Sequence, residues 1–290
     1  MSEPTIFTTQ NIRITLPNLK AQVKLIPFGD VHRTSPSCCT KTWLEFLRQA
    51  KAEQDDYTYY VAIGDLGGLL ATREREAFRK AKLHDSTREV FDAFAWEKCQ
   101  EFMKEISFMR GHLLGFLEGN HRWVFADGKT CNQRMADAMD CPWLGTVCYY
   151  ILSIGFETRP SSIGVDLFMY HGKPGGKLCG TSVNQVEDMR PIYPAADIFI
   201  MGHDHSCYAM RGRPHLYANL HGDKIIVKDH VPWLVRSGSF ERAYVPNVSN
   251  YIVGGLKRPT ALGTVKAFIG AKRDQSAGGD RLVKDIHFWS

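Results

Sequence analysis

The sequence predicts an α/β fold whose first half alternates strand and helix and whose second half is rich in strands. Three observations carry this. Lys24–Phe28 and Tyr57–Ile63 are short apolar runs, and each passes directly into a Gly-Asp pair. Between them, Thr42–Ala52 places Trp43, Leu44, Phe46 and Leu47 at helical spacing, so the segment reads as two parallel strands joined by a crossover helix. From Val147 onward, further short apolar runs are separated by Gly and Pro.

The remaining elements follow in order. Residues 71–110 are rich in charge and in Ala, Phe, Met, Glu and Arg, and read as a helical hairpin. Ser86 and Glu89 have capping-box spacing and predict a helix start, with Val90, Phe91, Phe94, Phe102, Ile106 and Met109 as its apolar face. Leu113–Leu117, Val147–Ile154, Val165–Tyr170, Asp197–Met201, Lys224–Lys228, Trp233–Arg236 and Thr264–Ile269 are strand candidates. No internal repeat or Pro/Ser/Gly linker divides the chain. Residues 1–290 therefore read as a single domain with a helical insert at 71–110 and a basic C-terminal segment at 251–290.

At 44% hydrophobic and 23% charged residues the chain is neither disordered nor fibrous, and 290 residues suffice for a large core. The net charge of +5 permits an anionic partner without demanding one. Its excess is concentrated after Tyr251, where seven basic residues face three acidic ones. A solvated face is the ordinary reading of such a run. No apolar run approaches the ~20 residues of a membrane span, and no basic stretch followed by an apolar one opens the sequence. The eight cysteines have no zinc-motif spacing, Cys131, Cys141 and Cys148 included, so reduced thiols in a cytoplasmic protein are expected. His215, His221 and His230 lack strand-end context, and Trp143, Trp233 and Trp289 read as packing residues.

One regularity points to chemistry. Five times a strand candidate ends and a metal-capable side chain follows: Asp30 and His32, Asp65, Asn120 and His121, His171, and His203 and His205. Ligands of open α/β sheets gather at the carboxyl ends of strands, so five ends of one sheet would bring these groups together. Asp, His and an Asn carbonyl suit divalent metals of the Mn, Fe and Zn class.

These motifs read G-D-V-H at Gly29–His32, G-D-L-G at Gly64–Gly67, G-N-H-R at Gly119–Arg122, Y-H-G at Tyr170–Gly172 and G-H-D-H at Gly202–His205. In this the sequence resembles the calcineurin-like metallophosphoesterase superfamily. Ser237-Gly238-Ser239 adds a weak echo of a Gly-Ser turn many members carry. The resemblance implies a four-layer α/β/β/α sandwich of two mixed sheets flanked by helices. It also implies a two-metal site, with manganese first and iron, zinc or nickel admitted. Asp30, His32 and His205 would hold one ion, Asn120, His171 and His203 the other, and Asp65 would bridge them. His121 would stand beside the ions as proton or hydrogen-bond donor to the leaving group. The implied reaction is hydrolysis of a phosphate ester by a metal-bridging hydroxide, most naturally of a diester. DNA or RNA cleavage by the same site is the alternative. A scaffold that keeps the fold without catalysis is a second, and all seven expected ligands being present argues against it.

The sequence departs from the family pattern at Arg122, where an acid that orients the histidine is usual. Asp204 and Glu118 are the candidate substitutes. No Tyr follows Gly64-Asp65, which argues against the purple acid phosphatase branch. Arg33, Arg122 and Lys173 flank the site residues and are candidate substrate-binding cations. The Gly-rich stretch His171–Lys177 lacks phosphate-loop spacing and reads as a rim loop. The sequence leaves oligomeric state open.

Overall fold

Strands β2 (Val23–Phe28), β3 (Thr58–Ala62) and β4 (Leu113–Phe116) run parallel as neighbours in one sheet in a computed structural model of the chain. The structure describes residues 6–67, 77, 81, 84–173, 178–248, 251–256, 258–259, 261–274 and 281–289. Part of the 71–110 insert, residues 174–177 of the 171–177 loop and some of the 251–290 segment lie outside these.

The first sheet has five strands in the order β13-β12-β2-β3-β4, with β12 (Lys266–Arg273) and β13 (Leu282–Trp289) joining antiparallel at the edge. The second has six, in the order β1-β5-β6-β7-β11-β8. Its strands are β1 (Phe7–Leu16), β5 (Val147–Phe156), β6 (Arg159–Tyr170), β7 (Ile198–Met201), β8 (Cys207–Arg211) and β11 (Trp233–Ser237). The remaining strands, β9 (His215–His221) and β10 (Lys224–His230), form a separate antiparallel ribbon. Its large apolar residues Leu216, Leu220, Ile225 and Val227 are exposed.

Packing resolves into four layers. One apolar core lies between the sheets, with Leu25, Val61 and Ile269 from the first meeting Leu152, Leu167, Ile200 and Val235 from the second. The outer face of the first sheet, including Phe28, Tyr60 and Phe116, is covered by α1 (Thr40–Glu53), α2 (Asp85–Glu105) and α3 (Cys131–Met139). The outer face of the second, including Phe168, Phe199 and Met201, is covered by α4 (Cys179–Glu187). The four-layer α/β/β/α sandwich is thus the architecture of the chain. Strand β4, at the edge of the first sheet, and strand β7, inside the second, are apolar along their whole length because both faces are buried. By contrast β5 alternates, one face on the core and the other half-covered.

Local chemistry explains the helices. In α1, Trp43, Phe46, Leu47 and Ala50 fall at i, i+3, i+4 and i+7 and are buried. Trp43 stacks on Phe102 of α2 at 5.6 Å between ring centres, and such aromatic burial stabilises by roughly 1.5–3 kcal/mol per side chain. Helix α3 opens on a capping box in which Thr130 accepts from the Gln133 N–H and the Gln133 side chain accepts from the Thr130 N–H.

Two expectations for the insert are corrected. The helix starts two residues earlier than the Ser86–Glu89 spacing predicts, because His84 caps it by accepting from the Ser86 N–H. Its packed face is also shifted. Ala95, Cys99, Phe102, Ile106 and Met109 are buried, whereas Val90, Phe91 and Phe94 are exposed, since packing on the sheet begins only at the helix middle. The second arm of the expected hairpin lies outside the described residues. The basic C-terminal segment, read from sequence as a charged run, supplies two strands of the first sheet instead. Lys266, Lys272 and Lys284 are paired with Glu53, Asp285 and Asp197.

Candidate metal centre

The site forms where strands of both sheets end at one edge of the sandwich. Asp30 follows β2, Asp65 follows β3 and Asn120 follows β4, all in the five-stranded sheet. His171 follows β6 and His203 follows β7, both in the six-stranded sheet. The expectation of a single sheet is therefore corrected. The two sheets face each other, and their loops meet over the intervening core.

The loops are zipped together by backbone. The N–H groups of Asp30, His32 and Arg33 donate to the carbonyls of Gly64, Asp65 and Leu66 at 2.9–3.0 Å, extending the β2–β3 pairing beyond the strands. Asp30, His32, Asp65, His203 and His205 all have positive φ, between 46° and 72°. Non-glycine residues adopt this conformation at a cost of order 1–3 kcal/mol each, and such strain collects at functional sites. Gly64, at φ 94°, is needed for contact as well as conformation, since a Cβ there would come 2.7 Å from His171 Nδ1.

Asp30, His32, Asp65, His171, His203 and His205 are buried, and Asn120 and His121 are half-buried. Three groups of donor atoms lie within 4.8 Å of one another: Asp30, His32 and His205; His32, Asp65 and His121; and Asp65, His171 and His203. Asp65 belongs to two of them, its Oδ2 standing 3.9 Å from His32 Nε2 and 3.1 Å from His171 Nε2. Asn120 Oδ1 lies 3.1 Å from His171 Nε2, and His203 Nδ1 lies 3.2 Å from the same nitrogen. His171 Nδ1 donates to the Ile63 carbonyl at 2.7 Å, which aims Nε2 into the site. The second oxygens are used as well. Asp30 Oδ2 accepts from the His203 N–H at 2.8 Å, and Asp65 Oδ1 from the His121 N–H at 2.7 Å.

The donor set fits divalent cations on the structure's own terms. Asp30 Oδ1 and His32 Nε2 are buried with no hydrogen-bond partner, a costly condition that a cation between them would relieve. Protonation stands in for that charge. Burial disfavours charge on Asp65, but His171 and His32 outweigh it and hold the carboxyl well below the usual range. Burial likewise opposes the imidazolium of His171, yet Asp65 and Asp30 carry it up to about 9. Burial and the neighbouring His171 push His203 down to about 3.

The candidate substrate cations are placed unequally. Arg33 does not face the donor cluster freely, because Glu105 of α2 grips its guanidinium through three contacts of 2.9–3.1 Å and also accepts from Trp43 Nε1. Arg122 is half-buried and donates from Nη1 to the Gly119 carbonyl at 2.7 Å. Lys173 is exposed and lines an apolar cleft with Tyr170, Tyr193 and Met201 on the outer face of the second sheet. Both candidate partners of His121 are engaged elsewhere. Asp204 is 3.3 Å from Arg236, and Glu118 accepts from Thr130 and Trp143. His121 instead meets His32 edge-on at 4.9 Å and borders a small cavity with Cys99, Phe102 and Cys131.

Two residues enter that sequence reasoning missed. Glu241, four residues after β11, is buried beside His32 and His205. Arg236, fully buried on β11, donates to the Gly202 and Ser182 carbonyls and to Gln185, tying the His203–His205 loop to α4.

No family model matches the chain, and no curated protein matches it. Solved structures similar to it include Vps29 from Entamoeba histolytica complexed with zinc. That protein is 11% identical, with 91% of this chain and 99% of that one covered and a TM-score of 0.38. A conserved uncharacterized protein from Streptococcus pneumoniae, a predicted phosphoesterase, is 10% identical over 86% and 83% of the chains, with a TM-score of 0.33. A 5'-nucleotidase precursor from Thermus thermophilus is 10% identical over 92% and 54%, with a TM-score of 0.36. Likeness at this level decides nothing about activity, and the functional reading rests on the donor cluster. Among the described residues no helix is long and apolar enough to cross a membrane.

Proposed function

We propose that the protein is a metal-dependent phosphoesterase acting on a phosphodiester. One observation carries the reading: Asp65 stands between two groups of Asp and His donors, within 4 Å of a histidine in each. Asp30, His32 and His205 would hold one cation, Asn120, His171 and His203 a second, with Asp65 reaching both. When bound, such a pair neutralises phosphate charge and makes water acidic enough to attack phosphorus at neutral pH.

The chain's own residues do the rest. Ile63 fixes the ring of His171, the Asp65 carboxylate is oriented by the His121 N–H, and the glycines at 64, 119 and 202 keep room for the loops to approach. His121, half-buried beside His32, would hydrogen-bond or protonate the leaving oxygen. Arg122 is the cation retained for a non-scissile oxygen. Arg33 is withdrawn from that role because Glu105 holds it. The nuclease reading loses the support of a free basic tail, since three of its lysines are paired within the fold. Manganese as the resident ion and a cytoplasmic setting belong to the same proposal.

The test is turnover by metal-stripped protein given Mn²⁺, on a phosphodiester and a phosphomonoester reporter and on single- and double-stranded DNA and RNA. Turnover of the diester reporter, abolished by chelator, is the expected result. Cleavage of a polymer would make the chain a nuclease, and monoester turnover alone would replace diester with monoester specificity. No turnover with two ions bound would favour the scaffold.

A further inference from the structure

We propose that Glu241 is a positioning carboxylate that sets the cation affinity of the Asp30–His32–His205 group by holding His205 from behind. The inference rests on the metal-centre reading above.

The segment carrying Glu241 is stitched to the loop carrying Asp30 and His32. Phe240 donates its N–H to the Asp30 carbonyl, Cys39 donates to the Phe240 carbonyl, and Arg242 donates to the Ser37 carbonyl, all at 2.7–3.0 Å. Ser239 Oγ donates to the Asp30 carbonyl and accepts from the Glu241 N–H. The backbone of Glu241 is therefore fixed relative to the first metal group. Its side chain is 5% exposed. Oε1 accepts from Ser37 Oγ. Oε2 accepts no hydrogen bond and lies 3.6 Å from His205 Nδ1 and 3.8 Å from His32 Nε2.

The His205 ring thus stands between two carboxylates. Asp30 Oδ1 is 3.5 Å from its Nε2, and Glu241 Oε2 is 3.6 Å from its Nδ1. Glu241 belongs to none of the three donor groups within 4.8 Å, and its Oε2 faces Nδ1 of His205, the ring nitrogen other than the Nε2 that faces Asp30. A buried carboxylate oxygen without a donor is unfavourable, and a closure of a few tenths of an ångström toward Nδ1–H would satisfy it. That bond would fix the tautomer with Nε2 as the free lone pair and raise its basicity, as carboxylates do behind metal-bound histidines.

The experiment is calorimetric titration of the full metal-stripped chain with Mn²⁺, for the parent and for Glu241→Gln, which keeps the shape and removes the charge. The parent is expected to show two sites. Glu241→Gln is expected to weaken one of them by about 10–100-fold and leave the other unchanged. Combined with His205→Ala, it is expected to cause no further loss, because its effect runs through that ring. Equal weakening of both sites, no weakening, or full additivity with His205→Ala would overturn the proposal. Should Glu241→Gln not fold, Ser37→Ala, which frees Oε1, is expected to weaken the same single site, and unchanged binding there would equally overturn it. A parent that binds no Mn²⁺ would overturn the metal centre itself, whereas two intact sites in Glu241→Gln would remove only the role of Glu241.

Discussion

Asp65 Oδ2 lies 3.1 Å from His171 Nε2, and this contact joins a strand end of the five-stranded sheet to one of the six-stranded sheet. Replacing Asp65 with Asn keeps its size and removes the charge shared by two donor groups. Bound metal is expected to fall from two ions to one or none, and diester turnover by at least about 10²-fold. Elemental analysis beside kinetics checks both, and full metal content with full activity would remove Asp65 from the bridging role.

The proton on His171 gives the centre a pH dependence. Its pKa of about 9 in the metal-free protein, against an ordinary 6.5, means that it is charged at neutral pH. A cation must displace that proton, so affinity is expected to rise from about pH 6.5 to 9, by up to about tenfold per unit, and then level off. Titrations in two buffers of different ionisation heat should show proton release at pH 7. In the metal-free protein the sign for folding is opposite: the stability that this raised pKa contributes is complete below 6.5 and lost as pH rises through about 9. His203, held near 3, costs stability as pH falls below 6.5, because only the unfolded chain then takes up its proton.

His121→Asn should bind both ions yet lose about 10²–10⁴-fold in rate, with the greater loss on substrates having poor leaving groups. The measurement is turnover across reporters of graded leaving-group pKa. A uniform loss across the series would mean that His121 does not serve the leaving oxygen.

Arg236 sits fully buried among the Gly202 carbonyl, the Ser182 carbonyl, Gln185 and Asp204. Arg236→Met leaves these groups without their donor and should cost about 3–5 kcal/mol, the range for breaking a buried pair. Urea unfolding of the metal-free protein measures this. A cost below about 1 kcal/mol would show that water replaces the guanidinium.

Thiol labelling offers an independent check of the packing. Burial pushes Cys141 up to about 12 and Cys148 up to about 11, whereas Cys179 is exposed. Native protein treated with iodoacetamide at pH 8 should be modified at Cys179 first, with Cys141 and Cys148 spared until denaturant is added.

The donors were legible because each follows an apolar run too short to be anything but a buried strand, as at Ile198–Met201 before Gly202 and His203. Which sheet each strand joins was not. That depends on pairings such as Phe7 with Val147, 140 residues away, which no local pattern encodes. The grip of Glu105 on Arg33 is hidden for the same reason. Glu241 carries no motif of its own and acquires a role only because β11 ends beside Asp30. The capping-box spacing at Ser86 and Glu89 misleads because His84 takes the capping position first.

The ends of the chain are exchanged between the sheets. The first strand, β1, pairs with β5 in the six-stranded sheet, and the last two, β12 and β13, complete the five-stranded one. During synthesis, β2 therefore emerges early and waits for more than two hundred further residues before its neighbour β12 exists. Until then one side of β2 is an open template for pairing with another nascent chain. A version lacking residues 266–289 would keep every metal donor yet leave that flank of β2 permanently unguarded.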